Sequence, residues 1–351
     1  MSKKTNVGLI GYGMAGSIFH APVISSVEEL SLRTIVEPAE CAQKAKERYP
    51  WVNIIKTIDE LLDDSEIDLV VIAVPNKFHY ELAKKTLLKD KHVVLEKPFT
   101  ITSQEADELI ELAKKRNRIL SVHHNRRWDG DFKTVKKVVE SKVLGDIVEY
   151  QARFDRFRNF FMPNAWREKP ENGSGVVYDL GVHLIDQAQH LFGLPETITA
   201  DIRVQREGGK TDDSFLLTLD YGKVKVSLGN SMLVKEPLPH FVLLGTKGSY
   251  VKYGEDPQEE ALKNGFTPLL KGWGEDTEKF WGVLNAQIGD LNFRGKIQTL
   301  PGSYQDFYKD ICKAINNNEQ PAVKAIEARN NIRIIELALL SSKEKRTVKF
   351  T

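Results

Sequence analysis

Residues 6–16, with the sequence NVGLIGYGMAG, decide the fold of this chain. An apolar, strand-like run is followed directly by G-x-G-x-x-G and then by a helix-like segment that begins at Ser17. In such a strand–turn–helix unit the first glycine makes a tight turn, the second lets the backbone approach a pyrophosphate, and the third lets helix and strand pack closely. Glu37 follows the last glycine by about 20 residues, which is the spacing of a ribose-binding acid. The stretch therefore predicts a dinucleotide-binding βα unit.

Length and composition limit the class of protein. A chain of 351 residues suggests two domains, and 41% hydrophobic with 28% charged residues is typical of a globular protein. The net charge of +1 gives no reason to expect nucleic acid or an anionic membrane as a partner. Cys41 and Cys312 lie far apart without metal-like spacing, so we predict no metal site and a reduced, cytoplasmic setting. No stretch is apolar over enough residues to cross a bilayer.

The first third of the chain alternates between strand-like and helical patterns. The runs at 69–74 and 92–95 are continuously apolar, as expected of strands buried on both faces of a parallel sheet. Such alternation predicts an α/β fold with right-handed crossovers, a doubly wound Rossmann sheet. We predict strands at 6–10, 32–36, 69–74, 92–95 and 119–122, and helices at 39–48, 80–88 and 103–115.

After about Asn125 the pattern changes to successive strand-like runs without intervening helices. This arrangement predicts an α+β domain with a mainly antiparallel open sheet. We predict its strands at 146–156, 197–205, 214–221, 223–229 and 241–253, with turns at 220–222 and 245–248 and an edge strand at 348–350. Helices are predicted at 132–141, 181–192, 304–316 and 325–343, and residues 255–281 are interpreted as an insertion. We therefore predict a dinucleotide-binding domain over 1–123 and a substrate-binding and oligomerisation domain over 124–351.

Three polar groups follow the carboxyl ends of predicted parallel strands, where ligands bind in this fold. They occupy positions 75–79 (PNKFH), 96–98 (EKP) and 123–127 (HHNRR). Further along, Asp179 and His183 are four residues apart, so a helix that begins near Asp179 would place both on one face. A carboxylate beside an imidazole can fix its tautomer and tune its basicity, as a general acid/base requires. An N-capping aspartate followed by a structural histidine is the alternative.

The glycine loop, Glu96-Lys97-Pro98 and Asp179-x-x-x-His183 occur in this order along the chain. Together they resemble the glucose–fructose oxidoreductase/inositol dehydrogenase/rhizopine-catabolism family, Gfo/Idh/MocA, over nearly the whole chain. Within that family, residues 124–129 (HNRRWD), 166–168 (WRE) and 178–180 (YDL) look most like a bacterial subgroup of scyllo-inositol 2-dehydrogenases.

The resemblance implies an NAD(P)-dependent dehydrogenase that acts on a secondary alcohol of a cyclic polyol or sugar, as a homodimer or homotetramer. Lys97 would stabilise the alkoxide, His183 would act as general acid/base, and Asp179 would orient the substrate and His183. Removal of a hydride requires loss of the hydroxyl proton, and a nearby cation favours the alkoxide. The expected cofactor-binding residues are Gly11, Tyr12, Gly13, Met14, Ala15, Gly16, Glu37, Pro75, Asn76, His79, Glu96, Lys97, Asn125, Trp166 and Arg167.

The choice of cofactor depends on Glu37. A carboxylate at this place accepts hydrogen bonds from the ribose hydroxyls and repels a 2′-phosphate, which favours NAD over NADP. The resembled subgroup also includes enzymes that prefer NADP, and Arg33 could hold the phosphate if Glu37 points elsewhere. Alternatively, Glu37 interacts with the dipole of the helix that follows it.

Other interpretations stay open at the level of sequence. The chain could be a redox-neutral glycosidase with tightly held NAD, or a non-catalytic dinucleotide-binding regulator. Phe215, Leu217 and Leu219 alternate with mixed residues, so one face of the second sheet is expected to be buried and the other available to a second copy. The arginines at 153, 156 and 158 fit either a solvated edge strand or the border of the substrate pocket.

Overall fold

The computed structural model describes residues 4–37, 41–162 and 166–351. The chain forms two compact units. Unit 1 consists of Met1–Trp128, Gln258–Trp273 and Ser303–Arg329, and unit 2 consists of Asp129–Pro257, Gly274–Gly302 and Asn330–Thr351. The division is discontinuous in sequence, because two segments that follow residue 257 belong to the first unit.

The bounds of the regular elements are as follows. The strands are β1 (Thr5–Ile10), β2 (Leu30–Val36), β3 (Asn53–Ile55), β4 (Leu69–Ile72), β5 (His92–Leu95), β6 (Leu120–Val122), β7 (Ile147–Arg153), β8 (Thr197–Arg203), β9 (Ser214–Asp220), β10 (Lys225–Ser231), β11 (Phe241–Gly245), β12 (Gly248–Lys252), β13 (Gly282–Ile288), β14 (Leu291–Ile297) and β15 (Val348–Lys349). The α-helices are α1 (Ala21–Ile24), α2 (Cys41–Arg48), α3 (Ile58–Asp63), α4 (His79–Leu88), α5 (Ser103–Arg116), α6 (Gly130–Glu140), α7 (Val182–Phe192), α8 (Gln258–Lys263), α9 (Tyr304–Asn317) and α10 (Ala325–Glu344). Two π-helical turns, Ala15–His20 and Val177–Gly181, lead directly into α1 and α7.

Unit 1 contains a six-stranded sheet in the order β3-β2-β1-β4-β5-β6, and every pair in it is parallel. This order is that of a doubly wound Rossmann sheet, so the prediction is confirmed. All four residues of β4 are buried, which explains its continuously apolar sequence. Strand β3 and helix α3 were not predicted, because β3 has only three partly exposed residues and α3 has six. The predicted start of α2 at Ala39 lies outside the described residues.

Unit 2 contains a nine-stranded sheet in the order β14-β13-β12-β11-β7-β10-β9-β8-β15. Only β7 and β10 pair in parallel, so the predicted mainly antiparallel sheet is confirmed. The edge-strand interpretation of the arginine series is wrong for Arg153, because β7 lies inside the sheet between β10 and β11. The run predicted as one strand over 241–253 is the hairpin β11–β12. Strands β13 and β14 lie in a region where no strand was predicted, and β14 is an exposed edge strand in which apolar and polar residues alternate.

The two faces of the second sheet differ as the alternation predicted. Phe215, Leu217 and Leu219 are almost completely buried, whereas Leu216 between them is 48% exposed. On the outward face, Val242, Val251 and Val283 are register partners across β11, β12 and β13, and all three are half-buried. The outward face therefore has an apolar row over these three strands.

Candidate functional site

The glycine loop has the geometry that a dinucleotide phosphate requires. Gly11 has a φ of +91°, and a Cβ at this position would collide with the carbonyl oxygen of Ala73. A Cβ on Gly16 would collide with the carbonyl oxygen of Gly11, whereas a Cβ on Gly13 would meet nothing within 4 Å. The protein itself thus requires the first and third glycines, and the second presents bare backbone to open space. This arrangement fits the close approach of a pyrophosphate at the start of a helix.

Glu37 is turned toward this loop. Its carboxylate accepts a hydrogen bond of 3.0 Å from the backbone N–H of Tyr12, and its own N–H donates to the carbonyl of Ile55. The alternative phosphate ligand, Arg33, has its Nε 3.9 Å from the Asp64 carboxylate. The helix-start alternative for Glu37 involves residues 38–40, which lie outside the described residues.

Glu96 is held by a buried cluster of titratable side chains, which we call the Glu96 cluster: His20, Glu96, His123 and Tyr308. One carboxylate oxygen of Glu96 accepts from His20 Nε2 at 2.9 Å and from His123 Nδ1 at 3.0 Å. The other oxygen accepts from the backbone N–H of Lys97 at 2.9 Å, and Tyr308 Oη lies 2.5 Å from His20 Nδ1. Every member of the cluster is at most 8% exposed.

Electrostatics in the cluster favour an anionic Glu96 and a neutral His123. Burial alone would raise the pKa of the Glu96 carboxyl, but hydrogen bonds from His123 and His20 outweigh it and hold this pKa well below its usual range. Burial lowers the pKa of His123 to about 4. The possible ligand atoms of His20, Glu96 and His123 lie within 4.8 Å of one another, as in a metal site. Two N–H groups on one carboxylate oxygen account for this spacing by hydrogen bonding alone.

The neighbouring strand ends carry further predicted residues. Lys97 is half-buried, and its peptide bond to Pro98 is cis. His79 is fully buried, with Nδ1 2.9 Å from the Pro98 carbonyl oxygen and Nε2 2.9 Å from that of Val74. The His79 ring thus joins the segments that follow β4 and β5, and burial lowers its pKa. Its contact with a cofactor stays a prediction, as do those of the other strand-end residues, Pro75, Asn76 and Asn125.

The two arginines after β6 have structural partners in unit 1. Arg126 pairs with Glu259 at 2.6 Å, and Arg127 pairs with Glu327 at 2.8 Å. Arg127 also donates to the carbonyl of Ala322. Both arginines are almost buried. These ion pairs link the residues after β6 to the two later segments of unit 1, residues 258–273 and 303–329.

In unit 2, Asp179 lies in the π-helical turn and His183 in the first turn of α7. Their side chains are buried, with 8% and 4% of the residue surface exposed. The helical stretch begins at Val177 rather than near Asp179, and i→i+5 bonding widens its first turn relative to the predicted i,i+4 spacing. Arg167 Nε lies 3.0 Å from the Asp179 carboxylate. Arg167, which was expected to bind cofactor, is thus an ion-pair partner of a predicted catalytic residue. For Trp166 the structure describes only the backbone, a short 3₁₀ turn.

The cap of this helical stretch comes from elsewhere in the chain. The Asp212 carboxylate accepts from the Val177 N–H at 2.8 Å, and its backbone carbonyl accepts from the Val176 N–H. Gly175 has a φ of +87°, and a Cβ there would collide with the Asp212 carboxylate. Burial raises the pKa of Asp212 to about 6. The N-capping role considered for Asp179 therefore belongs to Asp212.

Buried ion pairs also hold the loops on either side of this cap. Arg206 binds the Asp213 carboxylate at 2.9 Å and the Glu168 carboxylate at 3.2 Å. Glu168 follows Arg167, and Asp213 follows Asp212. Arg167, which contacts Asp179, is therefore adjacent in sequence to a residue that binds Arg206. The same is true of Asp212, which caps the helical stretch.

Sequence reasoning missed three residues in these regions. His20 was visible in the helix after the glycine loop, but its partner Tyr308 is 288 residues away, so no local pattern links them. Asp212 lies in a polar loop segment that predicts a turn, and nothing in it indicates which helix it caps.

Among the described residues, none of the helices has the length and apolar character needed to span a bilayer.

Family models match both parts of the chain. Residues 5–124 match an oxidoreductase family with an NAD-binding Rossmann fold, and residues 136–350 match the C-terminal alpha/beta domain of the same family. With the glycine loop described above, these matches define an NAD(P)-binding oxidoreductase. The chain belongs to the Gfo/Idh/MocA family of oxidoreductases.

Individual relatives are similar over almost their whole length. The scyllo-inositol 2-dehydrogenase (NADP(+)) IolW of Bacillus subtilis is 40% identical over 342 residues, which is 97% of this chain and 95% of the relative. The oxidoreductase YdgJ of Escherichia coli is 42% identical over 99% of each chain. The solved structure of the Bacillus subtilis oxidoreductase YvaA superposes with a TM-score of 0.96 at 38% identity, over 100% of this chain and 99% of the other.

Proposed function

We propose that this protein is an NAD-dependent dehydrogenase that interconverts a secondary alcohol and a ketone on a cyclic polyol or sugar of the inositol type. The observation that carries the proposal is the full-length similarity to a relative named as a scyllo-inositol 2-dehydrogenase. Two features of the chain support it. Lys97 follows the end of a parallel strand, where ligands bind in this fold, and His183 follows Asp179 by four residues in one helical stretch, both of them buried.

Each proposed catalytic side chain has a separate chemical task. A nicotinamide cofactor held at the glycine loop would supply the redox chemistry, which is hydride exchange with the carbinol or carbonyl carbon. The Lys97 ammonium group stabilises negative charge on the reacting oxygen. The His183 imidazole takes the hydroxyl proton during oxidation and returns it during reduction. Asp179, which Arg167 holds at 3.0 Å, orients the substrate hydroxyls and His183.

The preference for NAD is a proposal that depends on Glu37. Its carboxylate lies against the Tyr12 amide in the glycine loop, and a negative charge there repels a 2′-phosphate. The Bacillus subtilis relative is named as NADP(+)-linked, so substrate and cofactor choice are separate questions. We propose that Glu37, Tyr12 and the glycine loop bind the adenosine ribose and the phosphates.

One assay separates this function from the two alternatives. The purified protein is incubated with inositol stereoisomers and aldoses, with NAD and NADP in separate reactions, and reduced nicotinamide is followed by absorbance. We expect turnover of at least one inositol with release of the reduced cofactor. Dinucleotide binding without turnover of any polyol would favour a regulator. Cleavage of a glycoside with cofactor that stays bound would favour the redox-neutral enzyme.

A second proposal concerns assembly. We infer that the outward face of the second sheet contacts a second copy of the chain, because Val242, Val251 and Val283 form an apolar row there. Light scattering at micromolar concentration should give a dimer or tetramer mass, and Val251→Glu should lower it. A monomeric mass for the unmodified protein would contradict the inference.

A cytoplasmic location stays a prediction from the cysteine pattern.

A further inference from the structure

The carboxylate of Glu96 has little hydrogen-bonding capacity left for a ligand. A carboxylate offers about four lone-pair directions. In Glu96, three are used by protein donors: His20, His123 and the backbone N–H of Lys97. Only 11% of the Glu96 side chain is exposed. The expectation that Glu96 binds the cofactor directly therefore competes with an arrangement that already satisfies it.

The hydrogen bonds also define where each proton in the cluster resides. An ionised Glu96 only accepts, so His20 carries a proton on Nε2 and donates it to Glu96. In the neutral His20 imidazole, Nδ1 then accepts from the Tyr308 hydroxyl, which keeps its proton because burial raises the pKa of Tyr308 well above its usual value. An ionised carboxylate only accepts, so neutral His123 carries its proton on Nδ1. One set of tautomers satisfies all these bonds.

Four elements of unit 1 converge on this carboxylate. His20 ends the helical turn after the glycine loop, Glu96 follows β5, His123 follows β6, and Tyr308 lies in α9. The backbone of Glu96 donates to the Ile72 carbonyl of β4 at 2.9 Å, which fixes the strand end. The cluster also orients the second carboxylate oxygen of Glu96, which accepts a hydrogen bond from the Lys97 N–H. This bond fixes the backbone amide of Lys97 and therefore the starting point of its side chain.

We propose that Glu96 is a positioning residue that acts through Lys97, and that His20 and His123 hold its carboxylate in the one orientation that receives the Lys97 amide. The proposal rests on the proposed function for the catalytic role of Lys97. It assigns to the cluster the supporting role that groups behind a reacting side chain have in other enzymes, where loss of a supporting hydrogen bond lowers activity while ligand binding persists.

Matched pairs of variants test this assignment. His123→Asn keeps an amide N–H near the position of Nδ1, and His20→Gln keeps one near the position of Nε2, whereas His123→Leu and His20→Leu remove the donors. Because the donor to Glu96 is lost, we expect the leucine variants to lower kcat about tenfold or more. We expect the Kd for the dinucleotide, measured by fluorescence titration, to change by less than about twofold, because the glycine loop is untouched. His123→Asn and His20→Gln should restore most of kcat.

Two kinetic outcomes would overturn the assignment. The first is a dinucleotide Kd that rises in parallel with the loss of kcat, because Glu96 would then act on the cofactor. The second is a failure of the amide variants to exceed the leucine variants, because the donors would then be irrelevant. If the leucine variants do not fold, Tyr308→Phe provides the milder test. It removes only the hydroxyl that orients His20, and it should lower kcat less than either leucine variant while leaving Kd unchanged.

A spectroscopic measurement tests the cluster even if no polyol is turned over. Nitrogen-15 spectra of labelled histidine should show His20 protonated at Nε2 and His123 at Nδ1, with signals assigned through the amide variants. The His123 tautomer should not change over about pH 5 to 8, the range in which an ordinary histidine titrates. Titration of His123 in that range, or stoichiometric Zn²⁺ binding that His20→Gln abolishes, would overturn the hydrogen-bond assignment. The tautomers thus test the cluster, and the polyol assay tests the function on which it depends.

Discussion

The regions around Lys97 in unit 1 and around Asp179 and His183 in unit 2 are ordered by different kinds of interaction. Lys97 follows a carboxylate that is fixed by two imidazoles and a backbone amide. Asp179 and His183 lie on a helical stretch fixed at its start by Asp212, which Gly175 allows to approach closely. In the first region the donors to the carboxylate are imidazole and amide N–H groups. In the second, the order depends on a capping carboxyl group and on a missing Cβ.

The two regions should therefore respond to different perturbations. In the folded protein His123 stays neutral through the neutral range, because burial lowers its pKa to about 4. The Asp212 carboxyl, whose pKa is about 6, ionises in the folded protein near neutrality. We expect the folded first region to respond mainly to the loss of a donor, and the folded second region to pH and to backbone crowding.

Removal of the cation from the first region should have the largest effect. We expect Lys97→Met to lower kcat by about 100-fold or more, because charge stabilisation of the alkoxide is needed mainly in the transition state. Dinucleotide binding should stay within about twofold, because the glycine loop is unchanged. Steady-state kinetics and fluorescence titration measure both quantities. The exposed Lys115 on α5 provides the control, because Lys115→Met removes an equal charge away from the strand end. Near-normal turnover in Lys97→Met would remove Lys97 from the mechanism.

Crowding of the cap should mainly affect the second region. Gly175 and Gly208 both have positive φ, but only a Cβ on Gly175 meets the Asp212 carboxylate. We expect Gly208→Ala to cost about 1 kcal/mol of unfolding free energy through backbone strain alone. Gly175→Ala should cost about 1 to 2 kcal/mol more, because the cap is also lost, and it should reduce turnover. Denaturant unfolding and kinetics on both variants check this. Equal costs would mean that the contact with Asp212 contributes nothing.

The ionisation of Asp212 should give the second region a pH dependence of stability that is opposite in sign to that of the first. Burial raises the folded pKa of this carboxyl from 3.8 to about 6, so its contribution to stability is present below pH 3.8 and is lost as pH rises through 6. The neighbouring Asp213 carboxylate has the same charge and also raises the pKa of Asp212, but Asp213 is itself paired with Arg206. As the pH rises from 3.8 to 6, we expect the free energy of unfolding of wild type to fall by about 2 kcal/mol relative to that of Asp212→Asn.

Unfolding of both proteins at several pH values measures this difference. His123→Asn provides the comparison from the first region, because burial lowers the pKa of His123 from 6.5 to about 4 in the folded protein. The unfolded chain binds a proton at this histidine below about pH 6.5, so the free energy of unfolding of wild type should rise by about 2 kcal/mol relative to that of His123→Asn between about pH 5 and 8. A difference for Asp212→Asn that is flat, or that has the same sign as the one for His123→Asn, would contradict the prediction.

The smallest expected effect concerns the carboxylate next to the glycine loop. We expect Glu37→Ser to shift the ratio of kcat/KM for NAD and NADP toward NADP by about tenfold or more, because it removes both an acceptor for ribose and a charge that repels phosphate. Glu28→Ser, at an exposed position before β2, is a suitable control. An unchanged ratio in Glu37→Ser would remove the basis for an NAD preference.

Local pattern predicted those parts of the fold in which burial follows a simple period. The apolar runs that became β4 and β5 have no alternation because both of their faces are covered, and Leu217 alternates with Leu216 because one face of β9 is exposed. Strand β14 was missed although its apolar residues Leu291, Phe293 and Ile297 alternate with polar ones, and although Gly289-Asp290 before it is a hairpin-turn pair. The glycine loop was recognisable because two of its glycines, Gly11 and Gly16, answer local steric demands and Gly13 leaves the backbone open.

Pairings across the chain could not be predicted in the same way. Arg127 looked like a strand-end group with access to ligand, but it is almost buried against Glu327, 200 residues further along. The sequence around Glu96 predicts a ligand-binding strand end, but nothing in it indicates that the two imidazoles on the Glu96 carboxylate belong to His20 and His123. Such contacts depend on where the chain returns in space, which a single sequence does not encode at short range.

The return of residues 303–329 to unit 1 has a consequence for the order in which the protein matures during synthesis. Tyr304, Phe307 and Tyr308 of α9 are packed in the same core cluster as Val7 and Leu9 of β1. When only the first 128 residues have been synthesised, every strand of the parallel sheet is therefore present. The aromatic residues of α9 that complete its core are still missing. Domains generally fold as units during synthesis, N-terminal first. Here the cofactor-binding unit can complete its core, and His20 can meet Tyr308, only when most of the chain has emerged.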